Sequence, residues 1–330
     1  MRRRTVAAMV AVCMTLTTAP AGAYLKFGVE IDGRTVPVRW ADGAIPYFVL
    51  ERDFSGIPAQ AFSDAIGRAA ATWSAVPGLP VRLSAQGLTR SQPLEADGRS
   101  TLGFLDRPDQ ERVLGAASFL LDAATGALLE SDIYFNTRFR WSTSPGGEPG
   151  AHDLESVALH ELGHLLGLGH SALGETEIAG SGRRVLASAS VMFPIAWPAG
   201  SVADRVLQPD DIAGVRDLYG ALSADEFGSI QGRVTRDGGG IYGAHVVAFG
   251  LASGEMVGSY TLSPEGDFVI AGLREGAYVV RVEPLDDADL ESFFGPANVD
   301  IAFGVTYAPR LAVVQAGGAT PSIVIPVRAP

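Results

Sequence analysis

The interpretation of this chain depends on the run His160-Glu161-Leu162-Gly163-His164-Leu165-Leu166-Gly167-Leu168-Gly169-His170. Residues four apart share one face of a helix, so His160 and His164 can bring two imidazoles to one ion. Gly167 can adopt the positive φ that ends the helix and turns the chain back, which lets His170 reach the same ion. Three protein ligands leave the fourth position open, as in a catalytic zinc site. The run therefore predicts one catalytic Zn²⁺ held by His160, His164 and His170.

Glu161 follows the first histidine and lies about 100° around the helix from it. Its carboxylate can face a water at the open position without binding the metal itself. The same carboxylate can take a proton from that water and pass it to a leaving amine. The arrangement predicts amide-bond hydrolysis without a covalent intermediate, with Glu161 as the general base. A shorter match of two histidines and one glutamate could be accidental, whereas the full run is far more specific.

The first 23 residues have the pattern of a secretory signal peptide. Residues 1–4 are basic, residues 5–16 are mostly apolar, and Ala21-Gly22-Ala23 is a small-residue cleavage site. The apolar stretch is too short to span a bilayer, and no later window is long and apolar enough, so we expect no membrane span. The protein is predicted to be secreted, to an extracellular or periplasmic location, after cleavage near Ala23. Cys13 is the only cysteine, so the mature chain would rely on its core and bound metal for stability.

Composition and charge narrow the range of partners. The chain has 330 residues, more than one ordinary domain needs, and 47% hydrophobic content suits packed globular domains. Loss of the three arginines in the signal takes the formal charge from −12 to −15. Nucleic acid and anionic membrane surfaces are poor partners for so acidic a chain. We expect a monomer that acts on a protein or peptide substrate.

Residue patterns before the histidine run predict strands and one helix. Strands are indicated near 36–40, 45–50, 81–83, 115–121 and 127–136 by β-branched and aromatic runs between turns. Phe62, Ile66 and Trp73 recur at helical spacing within 58–76, which predicts a helix ended by Pro77-Gly78. Asp153 is the predicted N-cap of the helix that carries the histidines.

The chain changes character near 221–228, after which no long helical period is present. Short strands at turn-separated spacing are predicted at 230–234, 244–249, 268–270, 277–282 and 322–327. This spacing is typical of a small β-sandwich. No residue after Gly220 is assigned to the chemistry, so we expect residues 24–222 to fold, bind zinc and act without the sandwich.

At these residues the chain resembles the metzincin metalloproteases, and more narrowly the matrixins. Ser171 follows the third histidine as matrixins prefer, Ser190-Val191-Met192-Phe193-Pro194 looks like their Met-turn, and 207–220 is similar to their closing helix. The resemblance implies that Met192 lies beneath the zinc site. Pro194 stands where astacin- and serralysin-like branches carry a tyrosine, so no tyrosine ligand is expected.

Matrixin latency through a propeptide cysteine is not expected, because Cys13 leaves with the signal.

The resemblance also implies the fold, which is of the α+β class. We expect a metzincin catalytic domain over 24–222, with a twisted, mostly parallel sheet and long helices, after the signal peptide at 1–23. Residues 226–330 resemble the carboxypeptidase regulatory-like, transthyretin-type β-sandwich. Metzincins bind an extended peptide along an edge strand, here the 115–121 or the 128–135 run. A pocket near 193–202 would then hold the side chain that follows the cleaved bond.

Some alternatives stay open at this stage. His152 and His245 are interpreted as solvated histidines, although His152 could bind metal. Asp122, Asp132 and Asp153 could contribute to a Ca²⁺ site, but scattered acids are more often surface groups or helix caps. The chain could also be a binding or adhesion protein with a relict zinc site, or a zinc hydrolase that acts on something other than protein. The intact Glu161 argues against a relict site.

Overall fold

The computed structural model describes residues 26–180, 182–294 and 299–330. By its internal contacts the chain divides into two compact units. The first contains Gly28–Gly167 with Trp197–Val206, and the second contains Leu168–Ala196 with Leu207–Pro330 and residues 26–27. The predicted signal peptide lies outside the described residues. No helix among the described residues is long and apolar enough to cross a membrane.

The first unit is built on one mixed sheet. In chain order its elements are β1 (Gly28–Ile31), β2 (Arg34–Pro37), β3 (Gly43–Leu50), α1 (Ala59–Ser74), β4 (Val81–Thr89), β5 (Ser100–Leu105), β6 (Gly115–Leu121), β7 (Leu128–Asn136), β8 (Trp141–Ser142), β9 (His152–Asp153) and α2 (Leu154–Leu165). The main sheet has the strand order β4-β3-β5-β7-β6. Strands β4, β3, β5 and β7 run parallel, and β6 pairs antiparallel with β7. This agrees with the prediction of a mostly parallel sheet.

Helix α1 forms where the helical spacing predicted it. Phe62, Ile66 and Trp73 are all buried, so the apolar face found in the sequence is the face that enters the core. The helix begins after Pro58 and ends before Pro77-Gly78. The Trp73 indole N–H donates to the carbonyl oxygen of Leu159 at 2.8 Å. This bond ties α1 to α2, which carries the first two histidines.

The second unit has one helix and many strands. Its elements are β10 (Gly174–Ala179), β11 (Gly182–Ser188), α3 (Pro209–Leu218), β12 (Phe227–Arg236), β13 (Gly239–Gly240), β14 (His245–Gly250), β15 (Met256–Tyr260), β16 (Asp267–Arg274), β17 (Gly276–Glu283), the 3-10 turn Leu290–Ser292, β18 (Thr306–Tyr307), β19 (Ala312–Val314) and β20 (Ile323–Pro326). β10 and β11 form an antiparallel hairpin that the sequence patterns did not predict. α3 starts with Pro209 at its first turn and a capping box between Gln208 and Asp211.

The strands after α3 lie in two sheets. One has the order β13-β12-β16 with β20 beside β12, and the other has the order β15-β14-β17-β18 with β19 beside β17. Both sheets contribute to a single apolar core, which includes Ile230, Phe268, Val246 and Val280. Each of the five strands predicted after 228 overlaps one of these observed strands.

The division by contacts does not follow the sequence boundary near 222–226. Ala213 of α3 belongs to the same apolar core as Ile230 and Phe268. A side chain at Gly272 would lie 2.9 Å from the Ala213 Cβ, so β16 and α3 approach closely. The second unit therefore joins α3 and the segment after the third histidine to the C-terminal strands. The separation into domains 24–222 and 226–330 stays a prediction.

Candidate metal centre

Helix α2 begins and ends as its sequence predicts. The Asp153 carboxylate accepts a hydrogen bond from the Ser156 backbone N–H at 2.9 Å, which confirms the expected N-cap. At the other end Gly167 has φ +104°, and its N–H donates to the His164 carbonyl oxygen at 2.7 Å. A left-handed residue at this point stops the helix and redirects the chain. The local sequence is therefore sufficient to turn the chain between His164 and His170.

The three histidines of the run form one group. Each offers a ring nitrogen, and the three atoms lie within 4.8 Å of one another. The rings of His160 and His164 are 4.7 Å apart at their centroids and nearly perpendicular. Three imidazole nitrogens at this spacing suit a tetrahedral zinc ion with one open position. The donor set thus fits the metal that the sequence predicts.

Glu161 is deeply buried within the first unit. Its side chain is 4% exposed, and its Oε2 atom has no hydrogen-bond partner among the described residues. Without a metal ion, burial raises the pKa of the Glu161 carboxyl to about 8, whereas a cation held by the neighbouring histidines would favour its ionised form. A Cβ atom at Gly115, the first residue of β6, would lie 3.2 Å from the Glu161 Oε1 atom. The glycine therefore leaves room for the carboxylate beside the edge strand of the sheet.

Two arginines hold α2 in the first unit. Arg205 binds the Asp153 carboxylate through two nitrogens, at 2.5 Å and 2.9 Å. Arg205 also donates to the Ser144 carbonyl oxygen at 2.9 Å, so it joins the loop before the helix to the helix cap. Arg68 of α1 pairs with Glu155 at 2.6 Å. The first turn of α2 is thus fixed by charge pairs as well as by its cap.

His170 makes polar contacts inside the second unit. Its Nδ1 atom lies 2.5 Å from the carbonyl oxygen of Ser292. The Tyr260 hydroxyl donates to the His170 carbonyl oxygen at 3.2 Å. Burial is the main cause that lowers the pKa of the His170 imidazole, which favours the neutral form that binds metal. Sequence patterns did not reveal either partner.

Comparison with known families supports the resemblance read from the motif. The model of the peptidase family described as Matrixin matches residues 39–220, which is more than half of the chain. The chain belongs to the matrixin family. Its matched part is a matrixin domain of the zinc metalloendopeptidase class, and it contains all three histidines.

Individual relatives agree with the family match. Stromelysin-2 of Rattus norvegicus is 29% identical over 189 residues, which cover 57% of this chain and 34% of the relative. Metalloendoproteinase 1-MMP of Arabidopsis thaliana is 38% identical over 100 residues, which cover 30% of this chain and 20% of the relative. Matrilysin of Rattus norvegicus is 36% identical over 97 residues, which cover 29% of this chain and 30% of the relative. The matches thus span about a third or less of each relative's length.

In the matrixin domain, the segment around Met192 is held by one carboxylate. Asp211 accepts the Ser190 hydroxyl at 2.6 Å and the Val191 and Met192 backbone N–H groups at 3.0 Å and 3.2 Å. Met192 is 2% exposed, and its carbonyl oxygen accepts the Ser171 N–H at 2.9 Å. Sequence patterns assigned Asp211 no role of its own. That its carboxylate holds the segment around Met192 depends on how the two segments meet in space.

The neighbouring acid of the matrixin domain, Asp210, links different segments. One oxygen accepts the Ser171 hydroxyl at 2.6 Å, and the other accepts the Gly258 backbone N–H of β15 at 2.8 Å. Burial, with the adjacent Asp211 charge as a further cause, raises the pKa of Asp210 to about 7. A residue next to the third histidine is thereby joined to a C-terminal strand.

The other candidate histidines are not solvated as expected. His152 is partly buried against the rings of Phe139 and Trp141, at centroid distances of 5.6 Å and 6.2 Å. His245 is 1% exposed, and its Nδ1 atom pairs with Glu283 at 2.8 Å. The expectation of solvent exposure was wrong for His245, which strand pairing buries, and held only in part for His152, which keeps some exposure.

The acids considered for calcium have separate roles in the first unit. Asp122 accepts the Ala124 N–H in a turn, and Asp132 accepts the Thr101 and Leu94 N–H groups at 2.7 Å and 2.6 Å. Asp153 caps α2, as described above. Within the described ranges, the histidine group is the one cluster of three or more potential metal ligands. Calcium binding therefore stays the open alternative that it was from the sequence.

Proposed function

We propose that this protein is a secreted zinc-dependent endopeptidase that cleaves protein or peptide substrates. His160, His164 and His170 hold the zinc, and Glu161 is the general base. The observation that carries the proposal is the convergence of three imidazole nitrogens within 4.8 Å in a matrixin domain, with a buried carboxylate next to the first histidine. A bound zinc would polarise the substrate carbonyl and acidify a coordinated water.

The protein's own part in the reaction centres on Glu161. Because its Oε2 atom has no partner in the described part of the chain, it can accept a proton from an attacking water. The same oxygen can deliver that proton to the leaving nitrogen, so that one group acts as base and then as acid. Burial keeps competing water away from the carboxylate and strengthens its interactions. No covalent bond to the protein is needed.

Substrate binding is assigned to β6. This strand is terminal in the sheet order, whereas β7 lies between β5 and β6. Of the two runs that the sequence offered, Gly115–Leu121 is therefore the edge strand. An extended peptide can add to such an edge through backbone hydrogen bonds, which satisfy its polar groups without demanding a particular sequence. The pocket predicted near 193–202 would supply side-chain preference.

We further propose that the enzyme is exported and that it has a catalytic part and an accessory part. We assign residues 1–23 to a signal peptide and residues 226–330 to an accessory β-sandwich of the carboxypeptidase regulatory-like type. Two sheets that share one apolar core support the sandwich assignment. Met192 is assigned to the Met-turn beneath the metal, and the enzyme is proposed to be a monomer.

A peptide-library experiment tests the proposal. Purified protein covering 24–330 is loaded with one equivalent of zinc and incubated with mixed peptides, and products are identified by mass spectrometry. We expect cleavage at internal bonds, its loss with a chelator and its return with added zinc. Zinc-loaded, folded protein that cleaves no peptide would favour a relict site or another hydrolase substrate. Cleavage that survives complete zinc removal would contradict the assigned mechanism.

A further inference from the structure

The third histidine differs from the other two in its surroundings. His160 and His164 lie on α2 in the first unit, whereas His170 belongs to the second unit together with the C-terminal strands. The His170 ring contacts Ser292 and the His170 carbonyl oxygen contacts Tyr260, and both residues follow α3 in the chain. These two partners of His170 thus come from a part of the chain beyond the matched matrixin region.

The contact to the ring defines which nitrogen is available to a metal. The Ser292 carbonyl oxygen can only accept a hydrogen bond, so the Nδ1 atom of His170, 2.5 Å away, must carry the proton. The lone pair is then on Nε2, and an unprotonated ring nitrogen is what a metal binds. The hydrogen bond from Nδ1 to the Ser292 carbonyl oxygen also fixes the rotation of the ring.

The segment that carries the Ser292 carbonyl is held by an aromatic cluster. Phe293 and Phe294 follow it directly, and both are buried with Tyr260 and Ala172 in one apolar cluster. The Tyr260 ring meets the Phe294 ring edge-on, with centroids 5.6 Å apart. Buried aromatic pairs of this geometry restrict the motion of the backbone that carries them.

A second set of bonds joins the same segments. The Tyr260 hydroxyl donates to the His170 carbonyl oxygen, and Asp210 bridges the Ser171 hydroxyl and the Gly258 N–H. The β10–β11 hairpin, which follows His170, is also bonded to the C-terminal part of the chain, since the Asp287 carboxylate accepts the Thr176 backbone N–H at 2.6 Å. These contacts are made by His170 itself and by residues that follow it in the chain. Movement of the C-terminal strands would therefore shift the histidine.

We infer that the C-terminal part of the chain, through β15 and the 3-10 turn Leu290–Ser292, positions the third metal-binding histidine, with the Ser292 carbonyl, the Tyr260 hydroxyl and the Phe294 ring as the positioning groups. The inference rests on the metal site of the proposed function and adds a role for the part of the chain beyond the matrixin domain. Partners of metal-ligating histidines typically change metal affinity by about 10–100-fold when they are lost. The accessory strands therefore determine how tightly zinc is held.

Two variants of the full chain test the inference, each with a matched control. Tyr260→Phe removes the hydroxyl that contacts His170, and Tyr278→Phe removes a hydroxyl that donates to the Arg274 carbonyl oxygen at 2.8 Å, away from the site. Phe294→Ala loosens the segment that carries Ser292. Phe303→Ala opens a comparable space in the apolar core shared by the two C-terminal sheets. All four side chains are buried.

The measurement is zinc affinity by competition with a chromophoric chelator, alongside the unfolding free energy of the metal-free protein. Phe294→Ala should weaken zinc binding by about 10–100-fold, and Tyr260→Phe by roughly fivefold. The controls should lower stability by similar amounts and leave zinc affinity unchanged. Visible spectra of the Co²⁺-loaded protein should change for the two test variants only, since they report ligand geometry.

The outcomes separate this inference from the proposed function. If wild-type protein binds zinc and cleaves peptides while both test variants bind zinc like wild type, the positioning role is wrong and the peptidase assignment stands. If test and control variants lose zinc affinity equally, the effect is general destabilisation, which also contradicts the inference. A wild-type protein that binds no zinc would overturn both.

Discussion

At the scale of single residues, the candidate centre combines three histidines with one buried acid. Glu161 is 4% exposed, and its Oε2 atom has no partner in the described chain. Leaving an acceptor unsatisfied in a buried position is costly to stability. Such a cost is typical of groups that are kept for chemistry, where substrate or water completes the hydrogen bonds.

Glu161→Gln should separate binding from turnover. Glutamine has nearly the same shape but cannot accept a proton at neutral pH, and the three histidines are unchanged. We expect one zinc per protein and a fall in turnover of about 10²–10⁴-fold, the range for general base catalysis. Zinc content is measured by atomic absorption and turnover with a cleaved peptide. Glu226→Gln, at an exposed position, is the control. Near-normal turnover in zinc-replete Glu161→Gln would remove Glu161 from the mechanism.

Asp132 predicts a pH dependence of stability. Burial raises the pKa of its carboxyl from an ordinary value of 3.8 to about 7, although the Thr101 and Leu94 N–H groups act in the opposite direction. The folded state therefore binds the proton more tightly than the unfolded state does. The stability contributed by this group is fully present below about pH 4 and is lost as pH rises to about 7.

The test compares wild type with Asp132→Asn by urea unfolding from pH 4.5 to pH 8, without calcium. Effects of pH on zinc affinity are common to both proteins and cancel in the difference. The unfolding free energy of wild type should fall more steeply over this range than that of the variant. Parallel curves would show that Asp132 ionises normally. Added calcium that flattens the wild-type curve alone would favour the calcium alternative that the sequence left open for Asp132.

At the scale of elements, α2 is the part of the site that local sequence determines most completely. Its cap, its apolar face and its terminating glycine are all within the run 153–167. Its orientation depends on longer contacts, namely the Asp153–Arg205 pair and the bond from Trp73 to Leu159. The local sequence specifies where the helix begins and ends, whereas these bonds orient it within the first unit.

Two substitutions at Asp153 should separate the cap from the ion pair. Asp153→Ala removes both and leaves Arg205, 17% exposed in its side chain, with Glu155 at 3.7 Å as its remaining ion-pair partner. We expect a loss of about 3 kcal/mol in unfolding free energy, from the lost cap together with the lost charge-assisted hydrogen bonds. Asp153→Ser retains an oxygen that can cap the helix and should recover about 1 kcal/mol of that loss. Urea denaturation of zinc-loaded protein measures both. Equal losses in the two variants would mean that the cap contributes nothing beyond the ion pair.

At the scale of the whole molecule, the sequence and the structure lead to different expectations for a shortened chain. A fragment covering 24–222 lacks Gly258, Tyr260 and Ser292, each of which bonds to a residue between 170 and 210. It also exposes Ala213, which is 4% exposed in the full chain. We therefore expect the fragment to bind zinc more weakly and to melt at a lower temperature than the full chain.

The comparison uses the same zinc competition assay for both proteins, with melting followed by circular dichroism. A fragment that matches the full chain in zinc affinity and peptide cleavage would support the separable domains predicted from the sequence. It would also show that the contacts of His170 with the C-terminal strands are dispensable.

Much of the site could be predicted from the sequence, because its main parts are local. The ligand spacing of His160 and His164 follows from the helical repeat, and the turn at Gly167 follows from its missing side chain. The apolar face of α1 and the strand at Gly115–Leu121 were also predicted, since periodicity reports which side of an element is buried. Each of these features depends on residues within a few positions of one another.

Only the tertiary structure decided which strand is the edge of the sheet, which carboxylate holds the segment around Met192 and which residues contact His170. Ser292 lies 122 positions from His170, and no local pattern marks a backbone carbonyl as the partner of a distant ring. Asp210 and Asp211 look alike in the sequence, yet they bond to different segments. Such contacts arise from the packing of whole elements, so they depend on the fold and not on the spacing of the residues that make them.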